Sequence, residues 1–195
     1  AFGTTTCEAK SGYGLATEHE LKALRVIRDL DEQHPMDMVA TFMGAHLVPA
    51  EYNANRAEYI RLVCEEMMPL VKEPGLAKFC DVFCEADTFT VEESRQVLEA
   101  GLKYGLRPKI HADEIEAIGG SQLAGELGAS SAEHLIGCPP AGIEAMAKGG
   151  VIACLLPATS FNLGAVVAPA RDMVNAGVPV AMATDFNPGS CPCLN

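Results

Sequence analysis

Histidine and acid side chains crowd the segment PKIHADEIEAIGG at 108–120, where His111, Asp113 and Glu114 follow the apolar Ile110 and precede a glycine pair. Imidazole and carboxylate together can ligate a divalent metal or relay protons. Glu114 and Glu116 could equally do no more than favour the start of a following helix. Similar groups recur along the chain: Glu8 and Lys10, His46, Glu85 and Asp87, Glu133 and His134, Asp185 and Asn187. Each alone has a plain structural use. His46 fits a satisfied core histidine, Glu85 and Asp87 fit a loop, and Asp185 before FNPG fits an Asx turn. Glu8 and Lys10, two apart on one strand face, can pair as ions.

The elements that would position these groups alternate regularly. Short apolar or β-branched runs predict strands over 3–10, 38–46, 79–86, 107–113, 131–136, 150–157 and 179–185, with helices over 17–33, 53–71, 90–104, 119–127, 139–148 and 165–176. In 90–104 the period is plain: Val91, Val97, Leu98 and Leu102 oppose Glu92, Glu93, Arg95 and Gln96, and Gly101 and Gly105 help to end the helix. Near-continuous apolar strands, each followed by a helix, predict a parallel sheet covered by helices. Two architectures fit, a doubly wound open sheet and a (β/α)8 barrel lacking one strand. A dinucleotide fold wants G-x-G-x-x-G after its first strand, and KSGYGL supplies only two spaced glycines. The titratable groups also gather at the C-terminal ends of the predicted strands, the face on which barrel active sites are built. Three histidines, His46, His111 and His134, fall there, whereas His19 and His34 lie in or just after a charged helix and are expected to be solvated. Chance would not set so many such groups at equivalent strand ends, and the plain readings weaken together. Metal-assisted hydrolysis is the leading chemistry, since no G-x-S-x-G elbow and no P-loop occurs.

At 195 residues and 49% hydrophobic, the chain can bury a sizeable core, read as one partial barrel domain over 1–195. A formal charge of −12 and no Lys/Arg stripe argue against nucleic acid as a partner. No apolar run approaches the roughly 18 residues of a membrane span. Of the eight cysteines, Cys7, Cys80, Cys84 and Cys154 sit in apolar, strand-like runs as reduced thiols would, and the C-x-C of Cys191 and Cys193 reads as structural. The expected compartment is the cytoplasm. The chain opens without methionine inside a predicted strand and closes just after another, so both ends look cut.

Six strings in order, EAKSGYGL, TFMGAHLVPAEY, CDVFCEADTF, KIHADE, SAEHL and ATDFNPGS, closely resemble the imidazolonepropionase family of the amidohydrolase superfamily. The resemblance runs the length of the chain and implies an incomplete α/β (β/α)8 TIM barrel, strands two to eight. It implies hydrolysis of 4-imidazolone-5-propanoate to N-formimino-L-glutamate in histidine degradation, with one Zn²⁺ or Fe ion. Carried over motif by motif, His111 and Asp185 become metal ligands, and Asp185 also a proton acceptor. Glu114 would hold the substrate ring and shuttle a proton, and His134 would polarise the carbonyl. Tyr13, His46, Asn187, Gly189 and Ser190 would contact the substrate, and Asp113 stays structural. The family's His-x-His and a following arginine on barrel strand one have no counterpart here, nor has its small β-sandwich. One His and one Asp are too few for a tight site, and an open barrel exposes an edge strand on each side. The expectation is therefore a hydrolase as a whole protein, dimeric by resemblance, and a weak or inactive fragment alone. The alternatives are another amidohydrolase, such as a deaminase of a cyclic amidine or base, and a non-catalytic scaffold.

Overall fold

The computed structural model describes residues 3–72 and 75–194. They form two compact units, one running to Phe83 and resuming over Glu92–Pro108, the other made of Cys84–Val91 and the chain from Lys109 onward.

In the first unit β1 (Thr6–Lys10) pairs in parallel with β2 (Asp37–Ala45), and β2 with β3 (Phe79–Cys84). Between β1 and β2 runs α1 (Thr17–Gln33), over the predicted range, burying Glu20, Leu21, Leu24 and Ile27 along one stripe. The β2–β3 register slips between Phe42 and Ala45, around Gly44. A Cβ at Gly44 would stand 2.6 Å from the Phe42 ring, and the buried Tyr59 hydroxyl donates to the Gly44 carbonyl at 2.7 Å. The helix predicted over 53–71 is real but composite: α2 (Arg56–Arg61), a π-helical turn (Leu62–Met67) and α3 (Met68–Lys72). Its inward residues Tyr59, Ile60, Val63, Cys64, Met67, Met68 and Val71 repeat with helical spacing, which hides the wider turn from sequence reasoning. Next, α4 (Val91–Lys103) corrects two details. Leu102 faces solvent, and Gly101 lies within the helix, because a Cβ there would meet Cys80 at 2.9 Å. Each fully buried side chain of this core, Leu24, Phe42, Val97 and Leu98 among them, contributes about 1.5–3 kcal/mol over exposure.

The division between units falls inside β4 (Arg107–Ala112). In the second unit β4 pairs with β5 (Ser131–His134), β5 with β6 (Ile152–Leu155) and β6 with β7 (Val180–Met182), all parallel. The strands are shorter than predicted, most of all β6 and β7, since the flanking residues turn out of the ladder. The connections are α5 (Gly120–Leu127), α6 (Pro140–Gly149), α7 (Pro157–Asn162) and α8 (Ala170–Asn175). Helices α5 and α6 touch backbone to backbone: a Cβ at Gly125 would stand 2.3 Å from the Ala145 carbonyl oxygen. The short α7 went unread because its apolar residues show no period, although Pro157 sits at its first turn. The helix expected over 165–176 begins only after Pro169, its earlier part being loop after Gly164 at φ 65°. Among the described residues no helix is long and apolar enough to cross a membrane, and all eight cysteines are free thiols.

Candidate active site

Asp113, His134 and Asp185 share a backbone feature: each follows or ends a strand at φ between 51° and 70°, the left-handed region that non-glycine residues seldom occupy. Leu135, at φ 59°, continues the turn after His134, and its N–H donates to the Ala112 carbonyl at 3.1 Å. Such conformations cost on the order of 1 kcal/mol or more each and persist where the surroundings impose them. Asp113 just after β4, His134 as the last residue of β5 and Asp185 three residues beyond β7 turn the chain as it leaves the sheet.

Within the second unit the sequence-predicted groups come together. The His111 and His134 rings lie with centroids 5.2 Å apart, and His134 Nδ1 stands 3.5 Å from Glu114 Oε1. His111 and His134 are buried, and the Glu114 side chain is 12% exposed. Burial pushes the Glu114 carboxyl up from its ordinary value, His111 opposes that rise, and Asp185 and Glu85 add to it. All these groups therefore sit within electrostatic reach of Glu114. Asp113 is fully buried beside Ser121 and Cys138, without hydrogen-bonding geometry to either carboxylate oxygen, and its pKa is raised chiefly by burial. Asp185 is half-buried, and its Oδ2 accepts the Thr159 hydroxyl at 2.7 Å. Asn187 shapes the loop that follows: its Oδ1 accepts the N–H groups of Gly189 (2.8 Å) and Ser190 (2.7 Å), and its Nδ2 donates to the Asp185 carbonyl at 2.7 Å.

Tyr13 and His46 belong to the first unit. Their rings meet edge-on at 5.1 Å, and His46 Nδ1 lies 2.8 Å from the Gly12 carbonyl. Tyr13 is 63% exposed and His46 half-buried, so His46 is not the core histidine that one reading allowed. Glu8 and Lys10 do pair, at 3.0 Å, and Lys10 also meets the fully buried Asp81 at 2.6 Å. His19 and His34 are exposed, as expected.

Two acids matter more than the sequence suggested. Glu85 is buried, and its carboxylate accepts the N–H groups of Ile115 (2.9 Å) and Glu116 (3.0 Å), fixing the turn just after Glu114. Glu20, hidden in the first turn of α1 among other acids, accepts three backbone N–H groups of the loop carrying Tyr13. The sequence cue for Glu20 was a carboxylate beside a glycine-rich stretch, and for Glu85 its place at a predicted strand end, neither of which tells what the carboxylate binds. Thr159 was missed because its helix was.

Solved structures of low sequence identity share this fold. Guanine deaminase from C. acetobutylicum with bound guanine superposes with a TM-score of 0.71 at 16% identity, over 97% of this chain and 48% of that one. The 5-methylcytosine deaminase of Klebsiella pneumoniae liganded with 5-fluorocytosine also gives 0.71, at 15% identity over 94% and 48%. Atrazine chlorohydrolase from Arthrobacter aurescens, complexed with zinc and atraton, gives 0.65 at 14% identity over 95% and 46%. With its parallel strand–helix units, the chain carries seven strands of the α/β barrel fold that these structures share. No family model matches, but its relatives are specific. It is 56% identical to the imidazolonepropionase of Alkaliphilus metalliredigens over 100% of this chain and 46% of the relative. Identity is 57% to that of Shouchella clausii, over 97% and 42%. Over nearly its whole length the chain is thus similar to the imidazolonepropionases, and it spans a little under half of theirs.

Proposed function

We propose that this chain supplies most of the barrel of a cytoplasmic, metal-dependent imidazolonepropionase. The full-length enzyme would open the cyclic amide of 4-imidazolone-5-propanoate to give N-formimino-L-glutamate, in histidine degradation. The observation that carries the reading is the buried Glu114–His134 contact beside His111, with Glu114 biased toward its protonated form. The identity to relatives of that name supports it.

His111 and Asp185 would hold the metal, zinc or iron, with further ligands from the remainder of the relatives' length. The donor set suits such an ion: an imidazole and a carboxylate on the ends of β4 and β7, the carboxylate oriented by the Thr159 hydroxyl. A bound ion would supply Lewis acidity to the amide carbonyl and lower the pKa of a water toward about 7. Asp185 accepts a proton from the attacking water. Glu114, kept protonated more readily by its desolvated setting, donates to the ring nitrogen as it leaves. His134, within 3.5 Å of Glu114, stabilises negative charge developing on the carbonyl oxygen. Tyr13 and His46 contact the ring, and the loop of Asn187, Gly189 and Ser190 takes the propanoate end.

The test is turnover of imidazolonepropanoate by the full-length enzyme, with formiminoglutamate and ammonia both measured and bound metal determined. Formiminoglutamate without ammonia, lost on chelation and restored by zinc or iron, is the expected result. Ammonia release from a cyclic amidine would move the protein to the deaminases. No turnover and no metal would make it a scaffold.

A further inference from the structure

Glu20 is a carboxylate with no exposed surface, set in the first turn of α1. Its Oε1 accepts the N–H groups of Gly14 (2.8 Å) and Leu15 (2.9 Å), and its Oε2 that of Gly12 at 2.9 Å. The loop needs such a clamp. Gly12 sits at φ 116° and Leu15 at φ 53°, conformations that a free chain would leave. Space around Gly12 is tight, since a Cβ there would lie 3.0 Å from the Met43 carbonyl oxygen. The carbonyl of this same Gly12 receives His46 Nδ1 at 2.8 Å. A carbonyl can only accept, so Nδ1 carries the proton, and Nε2 is the acceptor nitrogen of the neutral ring. Tyr13, held between the clamped Gly12 and Gly14, stacks edge-on against that ring.

We propose that Glu20 is a positioning residue for substrate binding: through the backbone of Gly12 it fixes the tautomer of His46 and the placement of Tyr13. This rests on the reading that Tyr13 and His46 contact the substrate. Glu20 itself touches neither substrate nor reacting atoms.

The experiment compares Glu20→Gln, His46→Ala, Tyr13→Ala and the Glu20→Gln/His46→Ala double variant in the full-length enzyme, by kcat and KM, with ¹⁵N NMR of histidine-labelled wild type. Glutamine keeps the shape but turns one acceptor into a donor facing backbone N–H groups. The expected result is a KM about tenfold higher in Glu20→Gln with kcat within about threefold, and a double variant whose KM rises by less than the product of the two single effects, the remainder coming from Tyr13. His46 should carry its proton on Nδ1 in the wild type. Unchanged KM in Glu20→Gln while His46→Ala and Tyr13→Ala raise it, or multiplicative effects in the double variant, overturns the positioning role and leaves the site reading intact. Unchanged KM in both His46→Ala and Tyr13→Ala overturns the site reading and the inference with it. If Glu20→Gln does not fold, the wild-type tautomer still decides: a proton on Nε2 refutes the link through Gly12.

Discussion

Replacing Glu85 tests whether the proposed acid works because its loop is held. The carboxylate is 2% exposed and accepts N–H groups from Ile115 at 2.9 Å and Glu116 at 3.0 Å, with that of Ala86 at 3.2 Å. Hydrogen bonds to a charged group are worth about 1.5–3 kcal/mol each. Alanine removes both loop bonds at a cost of roughly 3–6 kcal/mol, a large part of the ~5–15 kcal/mol that holds a typical domain. Glutamine keeps one acceptor and sets an NH₂ against the other donor, for roughly 2 kcal/mol. Since Glu114 immediately precedes these anchored residues, a loosened turn displaces it from the groups it serves, and a displacement near 1 Å can cost ~10²-fold in rate. Glu85→Gln in the full-length enzyme should therefore unfold at lower denaturant and lose about 10²-fold in kcat/KM. The double variant with Glu114→Gln should be no slower than Glu114→Gln alone. A Glu85→Gln enzyme with the wild-type denaturation midpoint and turnover would refute the clamp, and additive losses would show that Glu85 acts on something other than Glu114.

The other predictions follow from the same geometry. Glu114→Gln and His134→Ala should each lower kcat/KM at least ~10²-fold, and near-normal turnover in steady-state assays would remove their assigned roles. In metal-free protein the raised carboxyl of Glu114 binds its proton more tightly folded than unfolded, so its contribution is complete below the ordinary glutamate pKa and is lost as pH rises toward the folded value. Denaturation midpoints should accordingly show Glu114→Gln gaining on the wild type over that interval, and a constant difference would contradict the burial. Asp185→Asn should lower metal content at fixed free zinc, and Thr159→Val should do so less, both read by elemental analysis. Gly125→Ala must part α5 from α6 and should cost about 3 kcal/mol, whereas Gly105→Ala, at φ 77° with no atom near, should cost about 1 kcal/mol in the same melts.

The parallel strand–helix order was legible because burial on both faces leaves near-continuous apolar strands, and because periodic helices such as 17–33 declare themselves. Strand ends were overestimated for a related reason. Leu135 and Ile136 continue an apolar-looking run, but the chain leaves the ladder after His134, where φ turns positive, and side-chain type carries no trace of that turn. The π-helical turn at Leu62–Met67 and the helix at Pro157–Asn162 were hidden, the first by an unbroken apolar spacing and the second by the lack of one. His111, Glu114 and His134 could be nominated from residue type at strand ends. Glu20 could not, and Glu85 stood among the strand-end acids without its use being legible, because both work on backbone N–H groups, which every sequence possesses.

Backbone conformation at Asp113, His134 and Asp185 also separates two kinds of tolerance. A library scored only for folding should accept asparagine and glycine at these positions and reject valine, isoleucine and threonine, whose branched side chains fit poorly at φ near 60°. A library scored for turnover should be strict at His134 and Asp185 for the imidazole and carboxylate themselves. Substitution maps of abundance and of activity would therefore diverge most at the strand ends, and that divergence would trace the proposed catalytic face residue by residue.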